Sequence, residues 1–357
     1  MSNVIETVVI SDEPQLVSEP VYVPAPEPVT TAVSSTRESR LPRVRLQQFM
    51  LIGALAVLFL LFSLASPFFL TQANVGGILL AAAVPGILAL GSTFVIASGG
   101  IDLSVGTSMT LVSVMLAVFG TAGYLGLPMG LAIPLALLIG AIMGALVGVL
   151  VSYLGLPPFI ATLAMMMAAR GLSLIITGSR PVYFTAFPWF RTIATGQLIP
   201  YVPNAILIFL ALAVLAYFLL NKTLIGRYAI SIGSNEEATQ ISGVDTRKWK
   251  TLLYVTAFLF TAIAGIVMAS RLNSVQPSLG MGMELEAIAA VVIGGTSLSG
   301  GRATVIGSVI GAVLMATLNN GLQMMGLAQQ WQFIAVAIVI IIAVWADNMR
   351  RRRAGLA

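Results

Sequence analysis

The chain alternates between long, unbroken apolar runs and short polar breaks. The runs fall near residues 48–70, 75–98, 103–122, 127–153, 157–177, 203–220, 251–271, 285–297, 303–325 and 330–347. Inside each run the apolar residues are continuous, which favours helices over the alternating pattern of a membrane barrel. A helix needs roughly 20 residues to cross the hydrocarbon core. The pattern therefore predicts an all-α polytopic membrane protein of about ten transmembrane helices. The run at 285–297 is short for a crossing, so it is expected to be extended by its flanks, tilted or broken.

Residues 1–45 break the pattern. They are polar, carry Pro14, Pro20, Pro24, Pro26 and Pro28, and are acidic until Arg37. Too little apolar surface is present to offset chain entropy, so a disordered tail is expected, with partner binding as the alternative. No apolar core of signal-peptide type appears in the first thirty residues. The transmembrane domain is expected over 46–350, with a polar loop at 221–250 inside it and a short C-terminal tail at 351–357.

Composition sharpens this picture. The chain is 58% hydrophobic and 9% charged, against about 25% charged residues in soluble domains. Between Gln47 and Ser179 the only Asp, Glu, Lys or Arg side chains are Asp102 and Arg170. A soluble fold has no surface to make from such a segment. The chain has no Cys and no His. That excludes disulfides, Cys/His metal sites, Ser-His triads and His proton relays. No catalytic constellation and no metal-ligand set is expected.

The net charge of +5 does not point to nucleic acid, because the basic residues sit beside the apolar runs, where they set orientation. With the N-terminus inside, Arg37, Arg40, Arg43, Arg45, Lys222, Arg227, Arg247, Lys248, Lys250, Arg302 and Arg350 to Arg353 all fall inside. Only Arg180, Arg191 and Arg271 fall outside, and Arg170 falls within a span. Both termini and the 221–250 loop are thus expected in the cytoplasm. Gly140, Gly144 and Gly148, and again Gly307 and Gly311, recur every four residues. Such stripes let helix backbones approach closely, and packing alone accounts for them.

The 221–250 loop is too long for a turn. Ser234 with Glu237 three residues later reads as a capping box. Gly243 reads as a helix stop. A helix of roughly nine residues, about 13 Å long, is expected between them. Glu236 and Glu237 lie in its first turn, where the helix dipole favours them. Ala238 and Ile241, with Val244 beyond the stop, offer a small apolar surface. The residues alone leave two readings: docking into a groove of another protein, or a capped helix resting on the membrane surface.

Other candidates also carry two readings each. Asp102, beside Gly99 and Gly100, either caps the next helix and shapes a gate or touches solute or ion. The other acids near a span, Glu284 and Glu286, only border the end of the short run. GGTSLSGGR at 294–302, with Gly294 and Gly295, is either an anion cradle or a tight turn between close helices. It shares Gly, Gly, Leu, Ser and Gly with SGGIDLSVGT, which hints at an internal repeat, although both segments are expected to run in the same direction. Asn319, Asn320 and Gln323 suit either a hydroxyl-bearing solute or hydrogen bonds between helices. Arg170 is expected to find a carbonyl or acidic partner. Met165 to Met167 is expected to pack.

Resemblance decides between the two readings of the 221–250 loop and leaves the other candidates open. GRYAISIGSNEEATQISGV at 226–244 resembles the cytoplasmic coupling segment of bacterial sugar-importing ABC permeases of the ribose, xylose and galactose type. ASGGIDLSVG at 97–106, LPPFIATLAMMMAARGL at 156–172, LEAIAAVVIGGTSLSGGRATVIGSVIGA at 285–312 and NNGL at 319–322 resemble further signatures of that family, in order, over about residues 50–348.

The resemblance implies a type II ABC importer-like permease in the bacterial inner membrane, among membrane lipid. It implies cytoplasmic ATP-binding subunits, a periplasmic sugar-binding protein and a second permease subunit, identical or paralogous. It assigns coupling to Ser234, Asn235, Glu236, Glu237, Ala238, Ile241 and Gly243. The chain itself has no P-loop: its lysines are Lys222, Lys248 and Lys250, and none follows a glycine. It is not expected to be an enzyme or to bind a cofactor, ATP being used by the partner subunit.

The rival readings are an ion-coupled secondary transporter, an intramembrane enzyme and an ABC permease for branched-chain amino acids. The first wants titratable groups along a path, and Asp102 alone, with no His, gives it thin support. The second lacks nucleophile, base and metal. The third would need charge recognition of its substrate.

Overall fold

A computed structural model describes residues 41–353. The expected tail at 1–45 therefore lies outside the described residues except for 41–45, which begin the first helix. The end of the C-terminal tail, 354–357, lies outside them too.

The chain is built from α1 (Leu41–Ala65), α2 (Gln72–Ala97), α3 (Val105–Gly120), α4 (Met129–Ser152), α5 (Pro158–Thr177), α6 (Thr192–Thr195), α7 (Asn204–Lys222), α8 (Leu224–Ser234), α9 (Glu236–Ile241), α10 (Thr246–Leu272), α11 (Met283–Ile293), α12 (Val305–Met324) and α13 (Gln329–Arg353). Between α5 and α6 lie β1 (Val182–Tyr183) and a 3₁₀ turn (Pro188–Arg191). β2 (Ser274–Val275), after α10, pairs antiparallel with β1.

Helix starts follow local chemistry. Pro128, Pro157 and Pro203 precede α4, α5 and α7, where a missing N–H costs nothing. The Thr71 hydroxyl accepts the Asn74 N–H at the head of α2.

Among the described residues, six helices are long and apolar enough to cross a membrane: α2, α4, α5, α7, α10 and α12. Apolar stretches of α1, α3 and α13 are shorter. The expectation of about ten crossings is therefore not confirmed, although each apolar run does hold a helix. The short run at 285–297 is α11, 11 residues long. That is about 16 Å, roughly half the hydrocarbon thickness, and it ends at the Gly294–Gly295 turn.

Helices α2 and α10 form the centre, because their small residues admit neighbours on several sides. Gly91 of α2 meets the Ala257 carbonyl of α10. The α4 stripe lies against α10: Gly140 faces Ala262 and Phe258, Gly144 faces Phe258 and Tyr254, and Gly148 faces Thr251. Gly307 and Gly311 of α12 meet Gly294 and Ala290 at the end of α11. Both stripes thus serve packing. By contrast, α5 and α7 keep large apolar side chains such as Ile175 and Val214 on the surface, as lipid-facing helices do.

Two further expectations need correction. Arg170 is exposed on α5 and has no hydrogen-bond or ionic partner among the described residues. Met167, one turn before it, is exposed on the same side of the helix, and no acid faces it among the described residues. The 221–250 loop is not one nine-residue helix but two helices, α8 and α9, with α10 starting at Thr246.

Candidate functional site

Helix α8 is amphipathic. Gly226, Ala229 and Ile232, spaced three apart, face the protein, the pattern of a surface helix packed by one stripe. At Asn235 the backbone turns extended and its side-chain oxygen accepts the Ala238 N–H at 2.8 Å, capping α9. The cap is therefore Asn235 and not Ser234, and α9 is six residues rather than nine. Ser234 instead ends α8, in the last turn before the break. Gly243 does close the segment, with φ +85, a value glycine adopts without strain.

Glu236 pairs with Lys250 of α10, which ties the front of α9 to the bundle. The outer surface of α9 stays bare: Glu237, Ala238 and Gln240 are exposed, and Ile241 is 81% exposed. An isoleucine so exposed at the end of a short, well-capped helix is not covered by the described residues.

Behind this surface three backbones touch without side chains between them. A Cβ on Gly233 would overlap the Ala97 carbonyl oxygen and lie 2.5 Å from the Gly301 nitrogen. One on Gly300 would lie 2.8 Å from Gly233 Cα and from Gly99 N, and one on Gly301 would meet Ser234. The Gly301 N–H donates to the Ala97 carbonyl at 2.9 Å. The two look-alike segments, 98–107 and 293–302, therefore meet, and α8 rests on their meeting point.

Both α2 and α11 run antiparallel to α12, since Thr93 pairs with Ser308 and Asn74 with Asn320, while Gly294 meets Gly307 and Glu286 pairs with Asn319. The two glycine turns thus follow helices of the same direction. The amides of the 294–304 turn are used internally: Gly295 donates to Val292, Ser297 to Arg302, Gly300 to Ser297 and Thr304 to Thr296. A turn with these N–H groups engaged internally, packed against Ala97 and Gly233, fits the close-packing alternative.

Asp102 is buried in the loop between α2 and α3. One carboxylate oxygen accepts the Ser104 N–H at 2.8 Å and its hydroxyl at 2.7 Å. The residue therefore caps its own turn. Among the described residues the other oxygen has no partner, and neither has the buried Tyr254 hydroxyl, which lies 2.9 Å from where a Cβ on Gly100 would be. Burial pushes the Asp102 carboxyl up to about 6, against the two Ser104 hydrogen bonds, which lower it.

The remaining candidates sit elsewhere, toward the face opposite α9. A cavity of about 220 Å³ lies among α2, α10, α11 and α12, with Arg271, Glu286, Asn319, Asn320 and Gln323 in its lining. The Asn319 amide donates to Glu286 at 3.1 Å. Asn320 and Asn74 exchange two bonds, at 3.0 and 3.1 Å, and Arg271 donates to the Leu80 carbonyl at 3.3 Å. The structure thus brings Asn319, Asn320 and Gln323 together but holds them apart from Asp102, Gly99, Gly100, Gly294 and Gly295. Glu286 and Arg271 were not foreseen in the sequence. Their positions at the ends of apolar runs read as ordinary border charges, and only the packing of α10, α11 and α12 around α2 turns them inward.

Comparison with known proteins adds to this geometry. A family model described as branched-chain amino acid transport system / permease component matches residues 74–344. The ribose import permease protein RbsC of Bacillus subtilis (strain 168) is 42% identical, over 83% of this chain and 91% of its own length. The protein of the same name from Escherichia coli (strain K12) is 39% identical, over 84% and 92%. The xylose transport system permease protein XylH of Escherichia coli (strain K12) is 34% identical, over 88% and 95%. No solved structure matches.

Proposed function

This chain belongs to the branched-chain amino acid transport system / permease component family, and on that premise we propose that it is the membrane-spanning permease subunit of an ATP-driven importer of a monosaccharide. The observation that carries the sugar assignment is the 34–42% identity to ribose and xylose import permeases over more than four-fifths of the chain. The same relatives weigh against the branched-chain amino acid reading that the family description would otherwise favour.

In this reading the face bearing α8 and α9 is cytoplasmic, as are both termini. That agrees with the cluster of Lys222, Arg227, Arg247, Lys248 and Lys250 around these helices. The bare surface of Glu237, Ala238 and Ile241 enters a groove of a separate ATP-binding subunit. Asn235, Glu236 and Gly243 hold α9 in shape for that contact, and Ser234 joins it to α8.

Motion of α8 then reaches Ala97 and Gly301 directly, through the glycine contact at Gly233. The loop holding Gly99, Gly100 and Asp102 and the turn holding Gly294 and Gly295 move with it as a gate. Backbone contacts suit this task, because no side-chain rotamer absorbs the displacement. On the opposite, periplasmic face a sugar-binding protein releases solute, and a second permease subunit completes the pathway. Asn319, Asn320 and Gln323 lie on the solute-facing side. ATP hydrolysis belongs to the partner, since the sequence has no P-loop.

The test is reconstitution into liposomes with the ATP-binding and sugar-binding partners. Uptake of ribose or xylose is expected to need ATP and both partners. Uphill transport by the purified chain alone would overturn the proposal.

A further inference from the structure

We infer that the cavity among α2, α10, α11 and α12 is a sugar-contact site within a single permease chain, with Glu286 as its selecting acceptor and Arg271 and Gln323 as its donors. This rests on the sugar-import reading above. The cavity, about 220 Å³, is smaller than a drug-sized pocket of about 300–1,000 Å³, so it suits a solute of monosaccharide size. Its lining is mixed: Glu286, Asn319, Gln323 and Arg271 stand among apolar side chains such as Val84, Pro85, Met268 and Met315.

The hydrogen-bond inventory of these polar groups is incomplete. Asn319 gives its amide hydrogen to Glu286, yet its buried carbonyl oxygen has no partner among the described residues. One Glu286 oxygen accepts that bond, and none of the described side-chain hydrogen bonds reaches the other. Arg271 uses one nitrogen on the Leu80 carbonyl, and its remaining donors find no partner among the described residues. Gln323 makes no side-chain hydrogen bond among the described residues. Acceptors and donors thus face one another across a gap, though Arg271 and Glu286 form no ion pair.

A sugar hydroxyl both donates and accepts, so neighbouring hydroxyls can bridge such a gap. Asn320 is not part of the recognition set, because its exchange with Asn74 consumes its amide. It pins α12 to α2 and so fixes the cavity wall. An amino acid zwitterion would use the same acid and base differently, with its carboxylate on Arg271 and its ammonium on Glu286, so competition by leucine is the discriminating arm.

The experiment measures binding of radiolabelled ribose and xylose to the complete permease–ATPase complex without its sugar-binding protein, in wild type, Glu286→Gln and Gln323→Leu. ATP-driven uptake by the wild-type system is measured in parallel. Wild type is expected to bind at least one of the two sugars. Glu286→Gln is expected to weaken that binding tenfold or more and to change the ribose-to-xylose preference. Gln323→Leu, which breaks no bond within the protein, is expected to weaken it several-fold even if Glu286→Gln fails to assemble. Unchanged binding in Gln323→Leu and Glu286→Gln, no sugar binding in wild type, or stronger competition by leucine than by either sugar overturns the inference. If wild type takes up neither sugar with ATP, the import reading itself has failed. Normal uptake with insensitive variants sinks only the cavity assignment.

Discussion

Replacing Gly233 with alanine places a methyl group where no space exists. The new carbon would overlap the Ala97 carbonyl oxygen and stand 2.5 Å from Gly301 N, whereas ordinary contacts begin near 3.4 Å. Its neighbours are backbone atoms, so no side chain can swing aside. Either α8 lifts from α2 by about an ångström or the Gly301 N–H to Ala97 bond of 2.9 Å is broken. Overpacking costs about 1–3 kcal/mol, and a lost hydrogen bond adds about 0.5–1.5 kcal/mol.

Strain of that size at the joint that carries motion is enough to shift an access equilibrium tenfold or more, since about 1.4 kcal/mol is a factor of ten. The assay is sugar taken up per ATP hydrolysed by the reconstituted complex. Gly233→Ala is expected to insert and to keep its ATPase partner, because α9 and its exposed surface are untouched, while uptake per ATP falls at least tenfold. Gly53→Ala is the control: nothing lies within 4 Å of its added carbon, and no change is expected. Wild-type coupling in Gly233→Ala would refute the transmission of motion through this contact.

Three other outcomes are expected. Ile241→Glu, at an 81% exposed position, should leave the permease folded and abolish co-purification of the ATPase subunit; retention of the subunit would show that α9 is not its docking helix. Gly144→Leu should act on folding instead, because an added carbon there sits 2.8 Å from Phe258 Cβ and the Tyr254 carbonyl. The folded yield by size-exclusion chromatography should drop sharply, and normal yield would contradict the α4–α10 contact. Asp102→Asn should stabilise the protein in a pH-dependent way. The folded carboxyl titrates near 6, above a free aspartate at about 3.9. Its contribution to stability is therefore fully present below about pH 4 and is lost as pH rises through 6. The melting-temperature advantage of the asparagine variant should grow from pH 5 to pH 7, and a constant difference would rule out titration of Asp102 in this range.

Several features were legible because their causes are local. Each apolar run holds a helix whatever surrounds it, since every backbone group must be satisfied within the segment, although only six are long and apolar enough to cross a membrane among the described residues. The Gly140, Gly144 and Gly148 stripe lies on one helix face by periodicity alone. The left-handed stop at Gly243 is a property of one residue. A capped helix with acidic residues in its first turn was legible between 234 and 243, and the structure holds α9 there. The cap itself was misplaced by one residue. Ser234 and Asn235 are both good caps, and local preference does not separate them. Packing does: α8 continues through Ser234 because Gly233 and Ser234 are held against Ala97, Gly300 and Gly301.

What the tertiary structure alone decided is which faces meet. Arg170 suggested a buried partner, yet α5 turns it outward. Glu286 and Asn319, 33 residues apart, become neighbours only through the packing of α11 on α12. Asn74 and Asn320, 246 residues apart, do so only through α2 against α12. Helix periodicity and capping are set by interactions within one turn, so the amino-acid order suffices to reveal them. The pairing of helix faces in a membrane depends on close fit between distant surfaces that are equally greasy, and no local pattern distinguishes one such surface from another.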